Sequence, residues 1–486
     1  MKKVLIITLI FMLIFGSQAM ASGAVTTGAT IASSAMMIKD VSAIASAAAS
    51  SNAEISVSDT AASAAASSNA EITDSNTAAS ASISTATKSV AAPAAVKTNI
   101  LELSDIKIVM DGRLTKFNDV PVSVASNTLL PLREMLVKLG VPNDDEHIKY
   151  NNEEKSVTVS YEGVSIYLSV GSKTAYVNSE PILLNAAPLL YSKNQKIYIP
   201  FRFVAEAIGK KVVWDGSSRT IYVCSEASYD NVRTILKKSD EAMKNSLSFT
   251  QNISMVSNVK SSQGSIKFNV DISTKLDKLK RELFMTMNIN MLGIEMTSDT
   301  YYADNVVYSQ DPINKTWKKT LYEKDEYQKL FDEQCEPIML GTDDPLCAGL
   351  CQSDTANSNE ILLKGDVFLI EAMTKALDSQ KEASSIVTEE DMEFDEFNME
   401  VILDSSTYRI NSIVIKGSYG KYNNNSSSIP SSNHNNISTA TDVNIKADCS
   451  DYDADYQIVV PTEIKDSAAI VERDTATPVN KNGFGE

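Results

Sequence analysis

The strongest constraint in this 486-residue chain is a segment that occurs twice. Residues 129–133 (LLPLR) return as residues 198–202 (YIPFR), and each copy is followed at equal spacing by a glycine before a strand-like run. The order strand, Pro-x-Arg, helix, Gly, strand predicts one compact, duplicated strand-helix-strand module. Seven residues form the structural signature of this repeat: Pro131, Arg133, Gly140, Pro200, Arg202, Gly209 and Trp214.

The duplicated segment resembles the copper amine oxidase N-terminal-like domain, a stalk-type module of secreted bacterial proteins. The resemblance runs over residues 103–223 and rests mainly on 199–209 (IPFRFVAEAIG), 213–216 (VWDG) and 171–178 (GSKTAYVN). In copper amine oxidases the metal and the quinone lie in a separate catalytic domain with three histidine ligands and an Asn-Tyr-(Asp/Glu)-Tyr motif. This chain has two histidines, His147 and His434, and no such motif. We therefore expect no copper catalysis and no cofactor.

Two signature residues invite a functional interpretation. Arg133 and Arg202 each follow the proline at a predicted helix start, where a guanidinium either binds an external anionic group or pairs within its own domain. Because both copies contain the arginine, a shared structural role is favoured. Trp214 is interpreted as a core anchor rather than as a platform for a sugar ring.

The start of the chain predicts export. Lys2 and Lys3 precede the apolar run 4–15, and residues 19–21 (AMA) have the small-x-small pattern of a signal-peptidase site, so residues 1–21 are predicted to be a signal peptide. The alternative is an uncleaved anchor, but the run is shorter than the roughly 20 residues of a spanning helix. We expect a secreted or cell-envelope, extracytoplasmic protein without an integral membrane segment after cleavage.

Residues 22–98 form a low-complexity segment of Ala, Ser, Thr and Asn, in which AAASSNAEI at 47–55 returns at 64–72. Large apolar side chains are too few to offset chain entropy, so a disordered spacer is predicted. A weakly helical or glycosylated stalk is the alternative. The predicted domains that follow are the repeat domain at 99–225, a second domain at 229–469 and a disordered tail at 470–486.

The second domain alternates apolar and polar residues over long stretches. Strands are predicted at 266–272, 283–291, 397–403 and 413–415, and helices at 229–247, 324–334 and 360–377. Such strands place one apolar face against a cover and leave the other face in water. The sequence therefore predicts an α+β fold, in which a curved antiparallel sheet is covered by helices.

This second domain resembles the LolA-like half-barrel family of bacterial lipoprotein carriers and their lipoprotein-like relatives. The resemblance rests on 301–308 (YYADNVVY), 317–319 (WKK) and 458–464 (IVVPTEI). It implies a concave sheet that shelters an apolar cavity for acyl chains. The low-complexity insert 423–436 interrupts the expected strand order.

One strand of this domain is rich in methionine. Methionine is flexible and polarizable, so it fills irregular cores or lines adaptable lipid cavities. Thioether sulfur also binds soft copper, which is the alternative, but no His or Cys lies near in sequence. The predicted cavity lining is Met285, Met287, Ile289 and Met291.

Cysteine and aspartate spacing gives two further predictions. Cys335, Cys347 and Cys351 cluster in sequence, and the favoured hypothesis is one disulfide within this cluster, ahead of free thiols or a zinc site. Asp451, Asp453 and Asp455 are spaced like an EF-hand start, but residue 456 is Tyr where Gly is required. We interpret them as the solvated face of a strand, and no metal site is predicted.

The remaining composition excludes several classes of function. The formal charge of −18 argues against a nucleic-acid partner. Neither histidine has a plausible catalytic partner, and phosphate-binding glycine loops are missing, so a non-enzyme is predicted. Two functions remain: an envelope binding module that takes up lipid or another apolar small molecule, and a structural or adhesive protein whose repeat domain contacts cell-wall polymer or a surface protein.

Overall fold

The computed structural model describes residues 100–261, 264–291, 293–335, 337–368, 392–422 and 437–471. The predicted signal peptide (1–21), the spacer (22–98), the insert at 423–436 and residues 472–486 of the predicted tail lie outside the described residues. Residues 470 and 471 of that tail are described, and Ile470 is part of a strand.

The first part of the structure, residues 100–225, consists of fourteen short strands and two helices arranged in three sheets. The sheets have the strand orders β1-β4-β5-β12-β11, β10-β9-β8-β7-β6 and β13-β14-β2-β3. The elements are β1 (Ile100–Glu102), β2 (Lys107–Met110), β3 (Arg113–Leu114), β4 (Val122–Val124), β5 (Asn127–Pro131), α1 (Leu132–Lys138), β6 (Ile148–Asn151), β7 (Ser156–Tyr161), β8 (Val164–Ser169), β9 (Thr174–Val177), β10 (Glu180–Leu183), β11 (Leu189–Tyr191), β12 (Lys196–Pro200), α2 (Phe201–Ala207), β13 (Lys210–Asp215) and β14 (Thr220–Ser225).

Both copies of the sequence segment run from a strand into a seven-residue helix. β5 ends at Pro131 and β12 ends at Pro200, and the φ of about −60° that proline imposes leads directly into α1 and α2. After the helices, Gly140 (φ +98°) and Gly209 (φ +79°) adopt the left-handed conformation that glycine tolerates best. The strands β5 and β12 pair antiparallel with each other.

The second part, residues 226–471, is one twelve-stranded curled sheet, a half-barrel with few helices. Its strand order is β21-β22-β23-β24-β25-β15-β16-β17-β18-β19-β20-β26, antiparallel except for β20 and β26. The elements are α3 (Glu226–Asn245), β15 (Ser248–Ser261), β16 (Gly264–Asp277), β17 (Glu282–Met291), β18 (Ile294–Ala303), β19 (Val306–Gln310), β20 (Trp317–Leu321), α4 (Lys324–Gln334), α5 (Asp344–Gly349), β21 (Cys351–Ser353), β22 (Glu360–Asp366), β23 (Met392–Asp404), β24 (Ile410–Tyr422), β25 (Ile437–Ser450), α6 (Thr462–Ser467) and β26 (Ala469–Ile470).

The predicted sheet-rich fold with a curled half-barrel and few helices is confirmed, with one local error. The helix predicted at 324–334 is α4, and the helix predicted at 229–247 is α3, which begins three residues earlier because Ser225 caps it by accepting a hydrogen bond from Ser228 N (3.1 Å). The helix predicted at 360–377 is wrong over its first residues. Residues Glu360–Asp366 form β22, which pairs with β23; the remainder from residue 369 lies outside the described residues.

One apolar cluster, which we call the shared core, joins the two parts. It contains side chains of β2 and β14 together with one face of α3 and the inner face of the long sheet, meaning the face on which β15, β16, β23 and β25 place their buried apolar residues. Representative members are Val109, Tyr222, Cys224, Val232, Leu236, Met243, Ile253, Met255, Val270, Ile272, Val401, Leu403 and Ile445. No linker separates the parts, since β14 ends at Ser225 and α3 begins at Glu226.

Three glycines bring the backbones of the two parts into contact. Gly112, in the turn between β2 and β3, meets Gly349 at the end of α5 and Gly365 in β22. A Cβ atom added to Gly365 would lie 1.9 Å from the carbonyl oxygen of Gly349. The carbonyl oxygen of Gly112 accepts a hydrogen bond from Asp366 N (2.8 Å). Only residues without side chains permit this approach, which we call the three-glycine contact.

Candidate ligand-binding face

Strand β17 carries the predicted cavity lining on one face. Met285, Met287, Ile289 and Met291, here called the inner row, alternate with polar residues and point to the inner face of the sheet. Each pairs with a residue of β16, as Met287 does with Ile272. The strand alternation predicted from sequence therefore places all four side chains on one surface.

Burial changes abruptly between these two strands. On β16, Val270 and Ile272 are only 3% and 4% exposed. Their partners on β17, Ile289 and Met287, pack against the shared core but are only half-buried. The cover that the shared core provides for β16 thus stops short of the inner row within the described residues.

The inner row is closed at one end and open at the other. At the closed end, Met285 packs against a second cluster beneath α4, the α4 cluster, which consists of Phe249, Leu276, Leu283, Tyr327, Phe331 and Cys335. At the open end, Met291 pairs with Ile294 of β18, whose side chain is 37% exposed. The half-buried Ile266 on β16 extends the same apolar surface. This end offers apolar side chains that are not fully covered by described residues.

The surface around the inner row is mainly apolar, with a few hydroxyl groups on the neighbouring strand β18. Met285 and Met287 pair across to Thr300 and Ser298 on β18, and Ser298 Oγ donates to the carbonyl oxygen of Gln310 (2.6 Å). Near the closed end, burial raises the pKa of Tyr302, so its ring stays neutral. The arrangement suits contact with hydrocarbon, and none of the cross-strand partners of the inner row on β16 or β18 carries a charge.

The copper alternative for the methionines finds no support from neighbouring ligands. Among the described residues no group of three or more His, Cys, Asp or Glu side chains is placed to hold a metal ion. Cys335 lies in the α4 cluster and is buried, with the pKa of its thiol raised by burial to about 12.

All five cysteines are free thiols in the structure, so the disulfide predicted among Cys335, Cys347 and Cys351 is not formed there. Cys335 belongs to the α4 cluster whereas Cys347 belongs to the shared core, so proximity in sequence did not bring them into one cluster. Burial raises the pKa of Cys347 to about 11 and that of Cys224 to about 12. These thiols are therefore protonated and unreactive at neutral pH.

The two signature arginines make corresponding contacts. Arg133 donates to the carbonyl oxygen of Ile148 (3.4 Å) and to Asn143 Oδ1 (2.8 Å). Arg202 donates to the carbonyl oxygen of Val212 (3.2 Å), and its guanidinium lies 3.5 Å from Glu206. In each copy the guanidinium connects the helix to the strand that follows it.

Two sequence interpretations are corrected by the structure. Trp214 is 43% exposed rather than a core anchor, although Val212 on the same face of β13 is buried. The acidic triplet is not on a strand, since β25 ends at Ser450. Asp453 instead accepts a hydrogen bond from Leu247 N (2.9 Å), and Asp455 pairs with Lys280 (2.6 Å), so these aspartates fasten the chain beside β15 and β16.

Sequence reasoning did not find the residues that join the two parts. Besides the three-glycine contact, Asp366 Oδ2 accepts a hydrogen bond from Leu114 N (2.6 Å), and Tyr222 Oη accepts one from Phe368 N (3.1 Å). Burial raises the pKa of Tyr222. These partners lie 252 and 146 residues apart, and no local pattern in the sequence signals such pairs.

Comparison with known proteins confirms the first resemblance. Residues 109–223 match the family model of the copper amine oxidase N-terminal domain. Residues 231–337 match the model of a family of unknown function, DUF6612. No curated protein matches the chain. Within the described residues, none of the helices combines the length and apolar character needed to cross a bilayer.

Solved structures similar to about half of this chain include three bacterial proteins. LprF from Mycobacterium bovis has 9% sequence identity and a TM-score of 0.23, with 48% of this chain and 97% of that chain covered. A DUF1329 family protein from Desulfovibrio piger has 8% identity and a TM-score of 0.17, with 47% and 95% covered. The LolA superfamily protein NE2245 from Nitrosomonas europaea has 9% identity and a TM-score of 0.15, with 48% and 96% covered. These TM-scores are low.

Proposed function

We propose, given a copper amine oxidase N-terminal domain at residues 109–223, that this chain is a non-catalytic, exported cell-envelope binding module whose half-barrel takes up an apolar ligand such as a lipid acyl chain. The observation that carries the proposal is the step in burial between β16 and β17. Fully buried Val270 and Ile272 stand beside half-buried Ile289 and Met287 on the same face of one sheet.

Burial of apolar surface favours binding of an apolar ligand along the half-buried inner row. Each buried methylene group contributes about 0.8 kcal/mol, so an acyl chain that lies along the inner row gains stability with every carbon that it shields. Methionine side chains adapt to chains of different shape because their three torsions are soft and their sulfur is polarizable. The open end at Met291 and Ile294 provides the entry.

The first part serves in this proposal as a rigid docking unit. Its arginines brace helix against strand, as the contacts of Arg133 and Arg202 with the backbone of the following strand support. The predicted signal peptide supports an extracytoplasmic location, where the mature protein would begin at Ser22. The predicted spacer would set the folded parts away from the site of attachment.

The test uses the full exported chain. We expect native mass spectrometry to show an added mass that is removed by solvent extraction as lipid, and we expect the delipidated protein to bind a fluorescent long-chain fatty acid. Met287→Glu places a carboxylate on the inner face and should weaken binding at least about tenfold. Asn288→Glu, one residue along on the opposite face, is the matched control and should leave binding unchanged.

Two results would contradict the proposal. If native mass spectrometry shows the protein without added mass, even after incubation with envelope lipids, the proposal is wrong. Equal losses of fatty-acid binding in both variants would show that the inner row is not the site. Since either variant could unfold the sheet, thermal denaturation of both accompanies the binding measurement.

A second candidate function has one observation in its favour. The 43% exposed ring of Trp214 is available for contact with wall polymer or a surface protein, as a structural or adhesive role would require. An exported chain that carries no lipid and binds no fatty acid, yet sediments with isolated envelope polymer, would favour this role over the first.

A further inference from the structure

The outer face of the half-barrel, opposite the inner row, carries two neighbouring cavities. The first has a volume of about 600 Å³ and lies between Leu114 and Lys116 of the first part and Asp366, Asn398 and Lys416 of the sheet. The volume is typical of a ligand site. Both parts of the chain are needed to form it.

The second cavity lies beside the first, and both are bordered by β24. It has a volume of about 280 Å³ and is lined by Val256, Asn258, Asp442 and Asn444, and it shares Lys416 and Gly417 with the first. Cross-strand pairing sets Asp366, Asn398, Lys416, Asn444 and Val256 side by side on five consecutive strands. At about 4.8 Å per strand, the row extends for about 19 Å. A ligand that fills both cavities is therefore elongated.

The acidic groups of this groove already have partners. Asp366 Oδ2 accepts the hydrogen bond from Leu114 N (2.6 Å) that joins the two parts, and Asp366 Oδ1 accepts a longer one from Asn398 Nδ2 (3.4 Å). In the second cavity Asp442 forms an ion pair with Lys260 (2.6 Å). The charge of Asp442 is balanced by Lys260, whereas Asp366 keeps its negative charge; among the described residues, neither carboxylate forms an ion pair with a lysine of the lining.

The two lysines of the groove differ in this respect. Across the part of the chain that the structure describes, Lys116 and Lys416 form no ion pair, and both side chains are exposed. Lys416 stands where the two cavities meet. In a chain of net charge −18, a groove with two lysines that form no ion pair with the described residues is a local exception.

From this placement we infer that the groove binds an elongated anionic polymer segment that carries phosphate or carboxylate groups, with Lys416 and Lys116 as the cationic contacts. Asn258, Asn398, Asn444 and Ser418 line the rest of the surface and offer amides and a hydroxyl to a hydroxylated backbone. The site is independent of the inner row, which lies on the opposite face. One chain could therefore hold an acyl group inside and a polymer outside.

The experiment measures binding of the full exported chain to three immobilised polymers at low salt: poly(glycerol phosphate), polyglutamate and neutral dextran. We expect binding to the phosphate polymer, the carboxylate polymer or both, none to dextran, and a loss of binding as salt rises. The first two arms identify which anionic group the groove prefers. Absence of binding to both anionic polymers would overturn the inference.

Matched lysine variants test the location. Lys416→Ala and Lys116→Ala should each weaken binding about tenfold, the usual value of a charge-assisted contact. Lys446→Ala is the control, because Lys446 lies on the same outer face but is already paired with Asp448 (2.8 Å) and lines neither cavity; its effect should stay below about twofold. Equal losses in all three variants would overturn the assignment to the groove.

A further variant distinguishes binding of the polymer in the groove from a general effect of surface charge. Lys260→Ala removes a residue that lines neither cavity but leaves the carboxylate of Asp442 unpaired inside the second one. Repulsion should then weaken polymer binding more than Lys446→Ala does, although both variants lose one positive charge. Equal binding by these two variants would contradict the extension of the site into the second cavity. Fatty-acid binding should be unchanged in every variant.

Discussion

At the scale of single residues, the close approach of the two parts depends on the absence of side chains. A Cβ atom on Gly365 would collide with the carbonyl oxygen of Gly349, which belongs to the second part itself, and would lie 3.2 Å from Gly112 Cα of the first part. The contact lies beside Asp366, whose carboxylate accepts the hydrogen bond from Leu114 N. Adding a methyl group at Gly365 would therefore disturb both parts.

Gly365→Ala should destabilise the protein by roughly 3 kcal/mol, because the new Cβ can be accommodated only if backbone moves away from backbone. Urea denaturation would measure the change. Gly216→Ala is the matched control: its Cβ would meet Trp214 Nε1 at 3.4 Å, an ordinary contact, so its effect should remain within about 0.5 kcal/mol. Equal stability of the two variants would show that α5 and β22 can move apart at the three-glycine contact without cost.

At the scale of elements, the turn between β23 and β24 is held by one carboxylate. Asp404 Oδ1 accepts hydrogen bonds from Ser406 Oγ (2.6 Å) and N (3.0 Å) and from Thr407 N (2.8 Å) and Oγ1 (2.9 Å). The Ser406 side chain first, and then Thr407, lower the pKa of Asp404 to about 2. A charged Asp404 therefore stabilises the connection between two of the longest strands.

The pH dependence follows from the sign of that shift. Since the pKa is lower in the folded than in the unfolded chain, the stabilisation is fully present above about pH 4 and is lost as pH falls towards 2. Asp404→Asn keeps an acceptor but not the charge, so its urea midpoint should lie below that of wild type at pH 6. The difference should shrink between pH 4 and pH 2. A difference that does not change with pH would contradict the role given to the charge.

Elements with local signals were predictable from sequence, and those without them were not. Pro131 and Pro200 each end a strand, because proline lacks the N–H that would continue the pairing. The apolar periodicity of residues 324–334 is enough to predict α4. The apolar run Ile361, Leu362 and Leu363 fits a helix or a strand equally well, and pairing with β23 decided it. The inner row was placed on its face by alternation alone, whereas the cover that it receives from other described residues depends on distant elements.

At the scale of the whole molecule, the shared core makes the two parts one unit. Val109, Tyr222 and Cys224 of the first part lie in the same cluster as Leu236 of α3 and Ile253 of β15. Apolar contacts of this kind are lost together when either side unfolds. The fold changes at residues 225–226 from the three small sheets to the half-barrel, but the shared core crosses this point, so we expect no hinge there.

The two tryptophans allow this coupling to be measured. Trp214 reports on the first part and Trp317 on the second, and they are the only tryptophans in the chain. In Trp317→Phe and Trp214→Phe, fluorescence should give the same urea midpoint for the remaining tryptophan, as a single cooperative transition requires. Far-ultraviolet circular dichroism should follow the same curve. Two separated midpoints would show that the parts unfold independently.

The ends of the long sheet affect how the protein behaves at high concentration. A twelve-stranded open sheet has two rims whose unsatisfied amides and carbonyls invite strands from other molecules. Here the rims are β21, with three residues, and β26, with two, and Asn231 of α3 donates to Gln352 on the first (2.7 Å). Rims this short offer an incoming strand little to pair with. Residues 294–299 of β18 extend beyond β19, so this segment beside the open end of the inner row is where we expect strand pairing between molecules to begin.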